Sequence, residues 1–258
     1  MVLLLINTEP LIAQEPVQPF RAGAGFGCSF TGYRDEVESP INRYCNAFTF
    51  LMDGAIEKGN VLQTLNIIFF KGSPEMTPPH GGYRHLHYIS VYGGIAYALD
   101  YRLWGNDTFP GCLGGAFRTA VYYTGTDGMD ADVPIPTGYG LISLDAHVTQ
   151  KWIINSKNSL TLSMGSPVFG YMVRPAYTGI DELWAKYAYE NLLKILTLGK
   201  IASFHNYWAV SGSLVYYHKY NARFSPYAGL GFELSRINFP EPRIDALLRI
   251  NAGYSFTF

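Results

Sequence analysis

The last sixteen residues of the chain alternate between apolar and polar side chains. Every even position from Ile244 to Phe258 is apolar, and the odd positions are polar or glycine except Leu247. A period of two indicates a β-strand with two unlike faces. The segment is much longer than the about five or six residues usual in soluble sheets. It therefore predicts a long strand with lipid on one side and a polar interior on the other.

The same two-faced pattern recurs along the whole chain. The predicted strands cover residues 20–30, 44–56, 62–70, 89–103, 113–123, 142–154, 160–172, 206–217, 224–235 and 243–258. The segments between them alternate between short turns and long loops, as expected when one rim of a barrel has turns and the other has loops. We therefore predict an all-β fold, an antiparallel up-and-down transmembrane β-barrel of about ten strands, with a short helix in one extracellular loop.

Composition favours the same architecture. Charged residues make up 15% of the chain and aromatic residues 16%, with 20 Tyr, 16 Phe and 27 Gly. No stretch approaches the roughly 18 continuous apolar residues of a transmembrane helix. Interleaved apolar residues can satisfy their backbone in lipid only as a closed barrel. The net charge of −1 gives no reason to expect a nucleic-acid partner.

The chain ends in an aromatic pair, Phe256 and Phe258, preceded by Tyr254 on the same face. This ending resembles that of Gram-negative outer-membrane β-barrel proteins. The resemblance implies an outer-membrane location with both termini in the periplasm. It also implies contact with outer-membrane lipid and lipopolysaccharide, and with the barrel-assembly machinery during insertion.

Residues 1–14 are interpreted as a signal-peptide-like or residual export segment, and residues 15–258 as the barrel. The alternative fold is a soluble all-β barrel or sandwich, which shares the alternation but has shorter strands. Cys28, Cys45 and Cys112 fit neither a disulfide framework nor metal spacing. Cys28 and Cys45 could meet across the first hairpin, although the strand phases place them on opposite faces.

The inward face of the predicted strands carries both signs of charge. Because unpaired charges in a narrow lumen are costly, we expect these side chains to form an ion-pair network that plugs the barrel. The predicted lumen residues are Arg21, Asp53, Asp100, Arg102, Arg118, Asp145, His147, Lys151, Glu233, Asp245 and Arg249. His147 beside Asp145 also permits a catalytic or pH-switch interpretation, which we rank below the network.

Three histidines near the predicted extracellular rim are weak catalytic candidates, namely His85, His87 and His205. His85 and His87 share one face of an extended segment and could both touch a metal, but further ligands would be needed. Ser203 and His205 resemble the Ser and His of lipid A deacylases without the surrounding motif. Omptin-type barrel proteases use outer Asp and His residues, and no matching set is found. We therefore predict neither a metal site nor a cofactor.

The longest loop, 176–200, has apolar residues at helical spacing between an acidic start and Gly199. The predicted apolar face consists of Leu183, Trp184, Tyr187, Leu192, Ile195 and Leu196. This helix could cap its own barrel, lie in the outer leaflet interface, or dock a partner protein.

The function expected from these features is that of a small plugged outer-membrane barrel. It would act through its extracellular loops as a structural, binding or accessory subunit of a membrane complex. Two alternatives remain, a rim-active hydrolase acting on lipid or peptide, and a small passive pore.

Overall fold

A computed structural model of the protein describes residues 20–35, 39–75, 88–126, 137–174, 194 and 196–258. Long antiparallel strands and one short strand, β8, account for most of them. The strands are β1 (Phe20–Asp35), β2 (Ser39–Lys58), β3 (Val61–Glu75), β4 (Tyr88–Trp104), β5 (Gly111–Thr126), β6 (Thr137–Ile153), β7 (Asn158–Val173), β8 (Lys200–Ala202), β9 (Tyr207–His218), β10 (Phe224–Ile237) and β11 (Arg243–Thr257).

The sheet closes on itself. Each long strand pairs with its neighbours in the chain, and β1 pairs with β11 from Arg21 opposite Thr257 to Asp35 opposite Arg243. The β6–β7 and β7–β9 pairings complete the ring of ten long strands. Closure removes the unpaired sheet edges that lipid could not satisfy. The predicted ten-stranded antiparallel barrel is confirmed.

The two rims differ in the length of their connections. The turn rim carries the connections 59–60, 105–110, 154–157 and 219–223 together with Phe20 and Phe258, and the loop rim carries 36–38, 76–87, 127–136, 174–199 and 238–242. The first of these is shorter than predicted, because β1 and β2 extend into the segment expected to be a long loop. Gly59 and Gly105 adopt φ of 58° and 87°, a backbone region that favours glycine, where the chain reverses at the turn rim. That the turn rim faces the periplasm remains a prediction.

The two faces of the strands have opposite environments. Outward side chains such as Phe26, Phe48 and Leu248 are exposed large hydrophobics, whereas inward ones such as Ser29 and Thr49 are buried. An apolar outer surface around a closed sheet is what a lipid environment stabilises. None of the described helical residues forms a helix long and apolar enough to cross a membrane.

One part of the wall departs from the predicted pattern. β7 pairs with β9 from Asn158 to Gly165 and with β8 from Gly170 to Met172, so residues 166–169 have no ladder partner on that side. A turn in which Tyr207 N donates to Ser203 O at 2.7 Å separates β8 from β9. The sequence analysis had missed β8 because a three-residue strand shows no measurable alternation.

Two further predictions were a helix in the loop 176–200 and a possible contact between Cys28 and Cys45. The predicted helix of loop 176–200 falls outside the described residues, except Lys194 and a 3-10 turn at Leu196–Leu198. Cys28 lies opposite Phe48 and Cys45 opposite Thr31, so the two thiols point to different faces of the sheet. All three cysteines are free.

Candidate functional site

The lumen near the loop rim is closed by a layer centred on Arg243. The Arg243 guanidinium is completely buried. Its carbon lies 4.5 Å from the ring centre of Tyr122, 5.0 Å from that of Tyr33 and 5.2 Å from that of Tyr139. Nε and Nη2 of Arg243 donate to the Asp245 carboxylate at 2.9 and 2.7 Å. Aromatic faces and a carboxylate together balance the buried positive charge. We call these five residues the Arg243 layer.

A second layer lies deeper in the barrel, around Arg118. Arg118 is 3.2 Å from Asp145 and 3.1 Å from Glu233, and it donates a hydrogen bond of 3.0 Å to the Tyr207 hydroxyl. Ser143 donates to the other oxygen of Asp145 at 2.6 Å. Four strands thus contribute to one buried cluster. We call Arg118, Asp145, Glu233 and Tyr207 the Arg118 layer.

Aromatic side chains fill the space between the two layers. The rings of Phe70 and Tyr92 stack with centres 5.0 Å apart. A void of about 30 Å³ lies among these rings. Such a volume holds one or two water molecules at most. The two layers and the rings between them form a continuous obstruction, which we call the plug.

Asp100 and His147 form a separate pair on the turn-rim side of the barrel. His147 Nδ1 lies 2.8 Å from the fully buried Asp100 carboxylate, and Thr149 Oγ1 donates to the same oxygen at 3.1 Å. A carboxylate that orients an imidazole is the arrangement of a positioned general base. Within the described chain, no hydroxyl or thiol hydrogen-bonds the other ring nitrogen. The pair therefore lacks a nucleophile of its own.

A cavity of about 540 Å³, lined by both charged and apolar residues, occupies the turn-rim half of the lumen. Its inner end is lined by Arg118 and Tyr92, and its outer end by Lys157, Lys219 and Ala222 at the turn rim. The three rim residues are exposed, so the cavity opens at the turn rim. The plug closes its other end.

Several of the predicted lumen residues line this cavity without an ion pair. Arg21, Asp53, Lys151 and Arg249 all face it, and none has an oppositely charged group within ion-pair distance among the described residues. Arg102 instead reaches the exposed Asp107 at 3.2 Å. The network therefore joins Arg118 to Asp145 and Glu233, Asp100 to His147, and Arg243 to Asp245, while the cavity residues stand outside it.

Only some of the candidate residues at the loop rim lie within the described part of the chain. His85 and His87 lie outside the described residues, as do Leu183, Trp184, Tyr187, Leu192 and Ile195, and nothing is described of the Leu196 side chain. Ser203 Oγ lies 2.8 Å from His205 Nδ1, in the turn between β8 and β9. No described carboxylate contacts His205, so this pair lacks the acidic group of a hydrolytic triad.

The C-terminal aromatic residues point outward. Tyr254 and Phe256 are half exposed, with rings 5.2 and 5.3 Å from the ring of Phe224 on β10, and the ring of Phe258 lies 6.1 Å from that of Phe20. They form an aromatic girdle at the turn rim, of the type that lies at a membrane interface.

Sequence reasoning overlooked the tyrosines of the plug. Tyr33, Tyr92, Tyr122, Tyr139 and Tyr207 are all buried and inward-facing. The predicted lumen residues are all charged residues or histidine, although Tyr92 and Tyr122 fall on inward positions of predicted strands. Tyr33 and Tyr139 lie beyond the predicted ends of their strands. Extending the two-residue phase to the loop rim would have found them.

No group of three or more histidine, cysteine, aspartate or glutamate side chains suited to a metal ion occurs in the described ranges. The site consists of a plug, a carboxylate-oriented histidine and a cavity that is open at the turn rim.

Comparison with known proteins gives matches only at the level of structure. No family model and no curated protein matches the chain. The outer-membrane protease OmpT from Escherichia coli is similar over 93% of this chain and 97% of its own, with a TM-score of 0.51 and 7% identity.

Two other similar structures are more distant. Neisserial surface protein A covers 93% of this chain and 97% of its own, with 8% identity and a TM-score of 0.39. The transport unit of the autotransporter AIDA-I from Escherichia coli covers 97% and 93%, with 8% identity and a TM-score of 0.41. At such identities the similarity concerns the fold alone. The chain has the fold of the bacterial outer-membrane β-barrels.

Proposed function

We propose that the protein is a non-conducting outer-membrane barrel that serves as a binding or accessory component of a membrane complex. The observation that carries this proposal is the plug, in which two buried layers cross the lumen with a void of about 30 Å³ between them. A conduit for solutes requires a continuous path instead.

The chemistry of the plug also argues against a role as a pore. Selective pores line a constriction with one sign of charge, or with carbonyl groups that replace an ion's water shell. Here Arg118 is held by Asp145 and Glu233, and Arg243 by Asp245. Ions would have to displace satisfied ion pairs in a region of low dielectric constant, which is costly.

A plugged barrel acts through what it presents at its rims. The segment 176–200 is the longest connection in the chain, and the apolar spacing from Leu183 to Leu196 suits a helix that docks a protein partner. In this proposal the barrel anchors the loop and the loop recruits the partner.

Purification of the full-length protein from its native membrane in a mild detergent tests the accessory role. A partner present in fixed stoichiometry is expected, and it should be lost when Trp184 and Tyr187 are both replaced by Ser. The matched control replaces the polar Lys186 and Glu190 by Ser, which should retain the partner. A barrel that migrates alone on native gels would contradict the accessory role.

A rim-active hydrolase is the second candidate, and the Ser203–His205 contact of 2.8 Å is the observation that favours it. The contact lies within one tight turn, where a serine hydroxyl commonly caps local polar groups. Ser203→Ala and His205→Ala are expected to leave the membrane lipid profile and outer-membrane proteolysis unchanged. A changed profile in both variants would favour the hydrolase instead.

A further inference from the structure

The cavity at the turn rim has the size of a small-molecule site. Its volume of about 540 Å³ falls within the roughly 300–1,000 Å³ typical of ligand pockets. It has one open end, and its wall mixes charged groups with the hydroxyls of Thr64, Thr161, Ser163 and Ser213. A solute that enters from the turn rim would therefore be enclosed on all sides but one.

Two arginines in this wall have unused hydrogen-bonding capacity. Neither Arg21 nor Arg249 donates a side-chain hydrogen bond to any described residue, and the Nε atom of each is buried without a partner. The Arg21 guanidinium instead lies over the ring of Tyr217, 4.5 Å from its centre. A guanidinium presents five donors in a planar fork that matches carboxylate and phosphate. Both arginines are thus free to bind an anion.

The backbone of β10 is shaped around one of these arginines. A Cβ atom placed on Gly231 would come within 2.5 Å of Arg249 Nη2. Gly231 leaves room for the guanidinium to lie against the wall of β10. Arg249 lies at the inner part of the cavity, below the plug.

A carboxylate on β2, the strand next to that of Arg21, has the complementary property. Oδ2 of Asp53 is buried and has no hydrogen-bond partner. The Asp53 side chain lies against Gly23, where a Cβ atom would come within 2.5 Å of Oδ1. An ionised carboxylate only accepts hydrogen bonds, so Asp53 calls for a donor such as a hydroxyl group.

We propose that this cavity binds a small hydroxylated anion, whose carboxylate or phosphate is held by Arg249 at the inner end and whose hydroxyl groups bind Arg21 and Asp53 nearer the turn rim. Unpartnered charges in a narrow lumen are costly, and such a ligand would offset that cost at both signs. The inference deepens the proposed function, on which it rests, because a cavity with one open end requires a closed plug.

Isothermal titration of the purified full-length barrel in a non-ionic detergent at low salt tests the site. The probes are glucose 6-phosphate and glucuronate, with uncharged glucose and inorganic phosphate as references. At least one of the two sugar anions is expected to bind more tightly than either reference. Whichever anion binds identifies the acidic group, and both results support the site.

The variants Arg21→Gln and Arg249→Gln distinguish binding at this site from non-specific electrostatic attraction of the anion to the barrel. Each is expected to weaken binding by about tenfold or more, because a charge-assisted hydrogen bond is lost. Arg102→Gln is the matched control, since this lumen-facing arginine pairs with Asp107 and does not line the cavity. Its affinity should equal that of the wild-type protein.

The variant Ser213→Phe provides a test that keeps every charge. It places a ring in the cavity opposite Gly231 and should abolish binding, while heat-modifiable mobility on gels verifies that each variant is folded. The inference would be overturned by a folded wild-type barrel that binds neither sugar anion, by inorganic phosphate binding equally well, or by unchanged binding in both arginine variants. A barrel that conducts ions but still binds a sugar anion would overturn only the plug.

Discussion

Arg243 shows how a charge can be kept inside a barrel without exposure to solvent. Its guanidinium is enclosed by three tyrosine rings and by one carboxylate, and it has no exposed surface. Each ring offers a negative face to the cation, and a desolvated contact of this kind contributes up to about 2 kcal/mol. The bidentate bond to Asp245 fixes the orientation of the fork. The rings and the ion pair therefore hold this end of the lumen closed.

Replacing Arg243 by Met should lower the free energy of unfolding by about 3 kcal/mol, because Asp245 loses its partner and the rings lose their cation. Urea unfolding in lipid vesicles measures the change. The double variant Arg243→Met with Asp245→Leu should recover most of the loss, since no unpaired charge remains. Arg236→Met, on the outer face of β10, is the control and should change little. Equal destabilisation by Arg243→Met and Arg236→Met would contradict this account.

The sequence analysis predicted most of the charged residues of the plug, but it did not predict Arg243 or any of the tyrosines. Arg118, Asp145, Glu233 and Asp245 fall on inward positions that the two-residue period determines. Which cation forms an ion pair with which carboxylate depends on the register between neighbouring strands, and the alternation in a single sequence does not determine that register. Arg21 and Asp53 illustrate the limit, because both face inward yet lie outside ion-pair distance of any described partner.

At some positions a neighbouring strand or a lumen side chain lies so close to the backbone that only glycine fits without a clash. Gly114 of β5 lies against β4, where a Cβ atom would clash with the backbone oxygen of Leu99 and come within 2.6 Å of Asp100 Oδ1. A Cβ atom on Gly93 of β4 would meet no atom within 4 Å. The first glycine is required by the close approach of Leu99 and Asp100, whereas the second is not.

Gly114→Ala should therefore destabilise the barrel by about 2 kcal/mol through overpacking, and Gly93→Ala should have almost no effect. Urea unfolding of the two variants in the same vesicles gives the comparison. If both alanines cost the same, the spacing around Asp100 is not the constraint described here.

The backbone ladder between β7 and its partners β8 and β9, which we call the seam, is interrupted. Residues 166–169 lack ladder partners on one side, and Pro167 has no amide hydrogen to contribute. The β6–β7 register also shifts between Leu144 and Asp145. The sequence predicted β7 as one continuous strand. Its apolar and polar residues alternate regularly as far as the register shift, which lies opposite Pro167.

Amide hydrogen exchange should be faster in residues 166–169 than in residues 160–165 of the same strand. The difference arises because local opening is easier where fewer backbone hydrogen bonds must break. Mass spectrometry of peptides from the detergent-solubilised barrel measures it, and the paired half of β7 serves as the internal control. Uniform exchange along β7 would show that the seam is as stable as the rest of the wall.

At the scale of the molecule, the barrel is a closed wall with a filled half and a hollow half. The plug lies towards the loop rim, and the cavity of about 540 Å³ opens at the turn rim. Strand number, closure and the inward phase followed from the sequence, because a period of two fixes both faces at once. The uneven filling did not, since it depends on where tyrosines from distant strands meet in space.

Conductance across a planar lipid bilayer tests the central claim most directly. The wild-type barrel is expected to insert without discrete current steps, because the plug leaves no continuous path for ions. A variant with Arg118, Tyr122, Tyr139 and Arg243 all replaced by Ser serves as the positive control, and should conduct once these side chains are removed. Regular single-channel steps from the wild-type barrel, equal in size to those of this variant, would contradict the account.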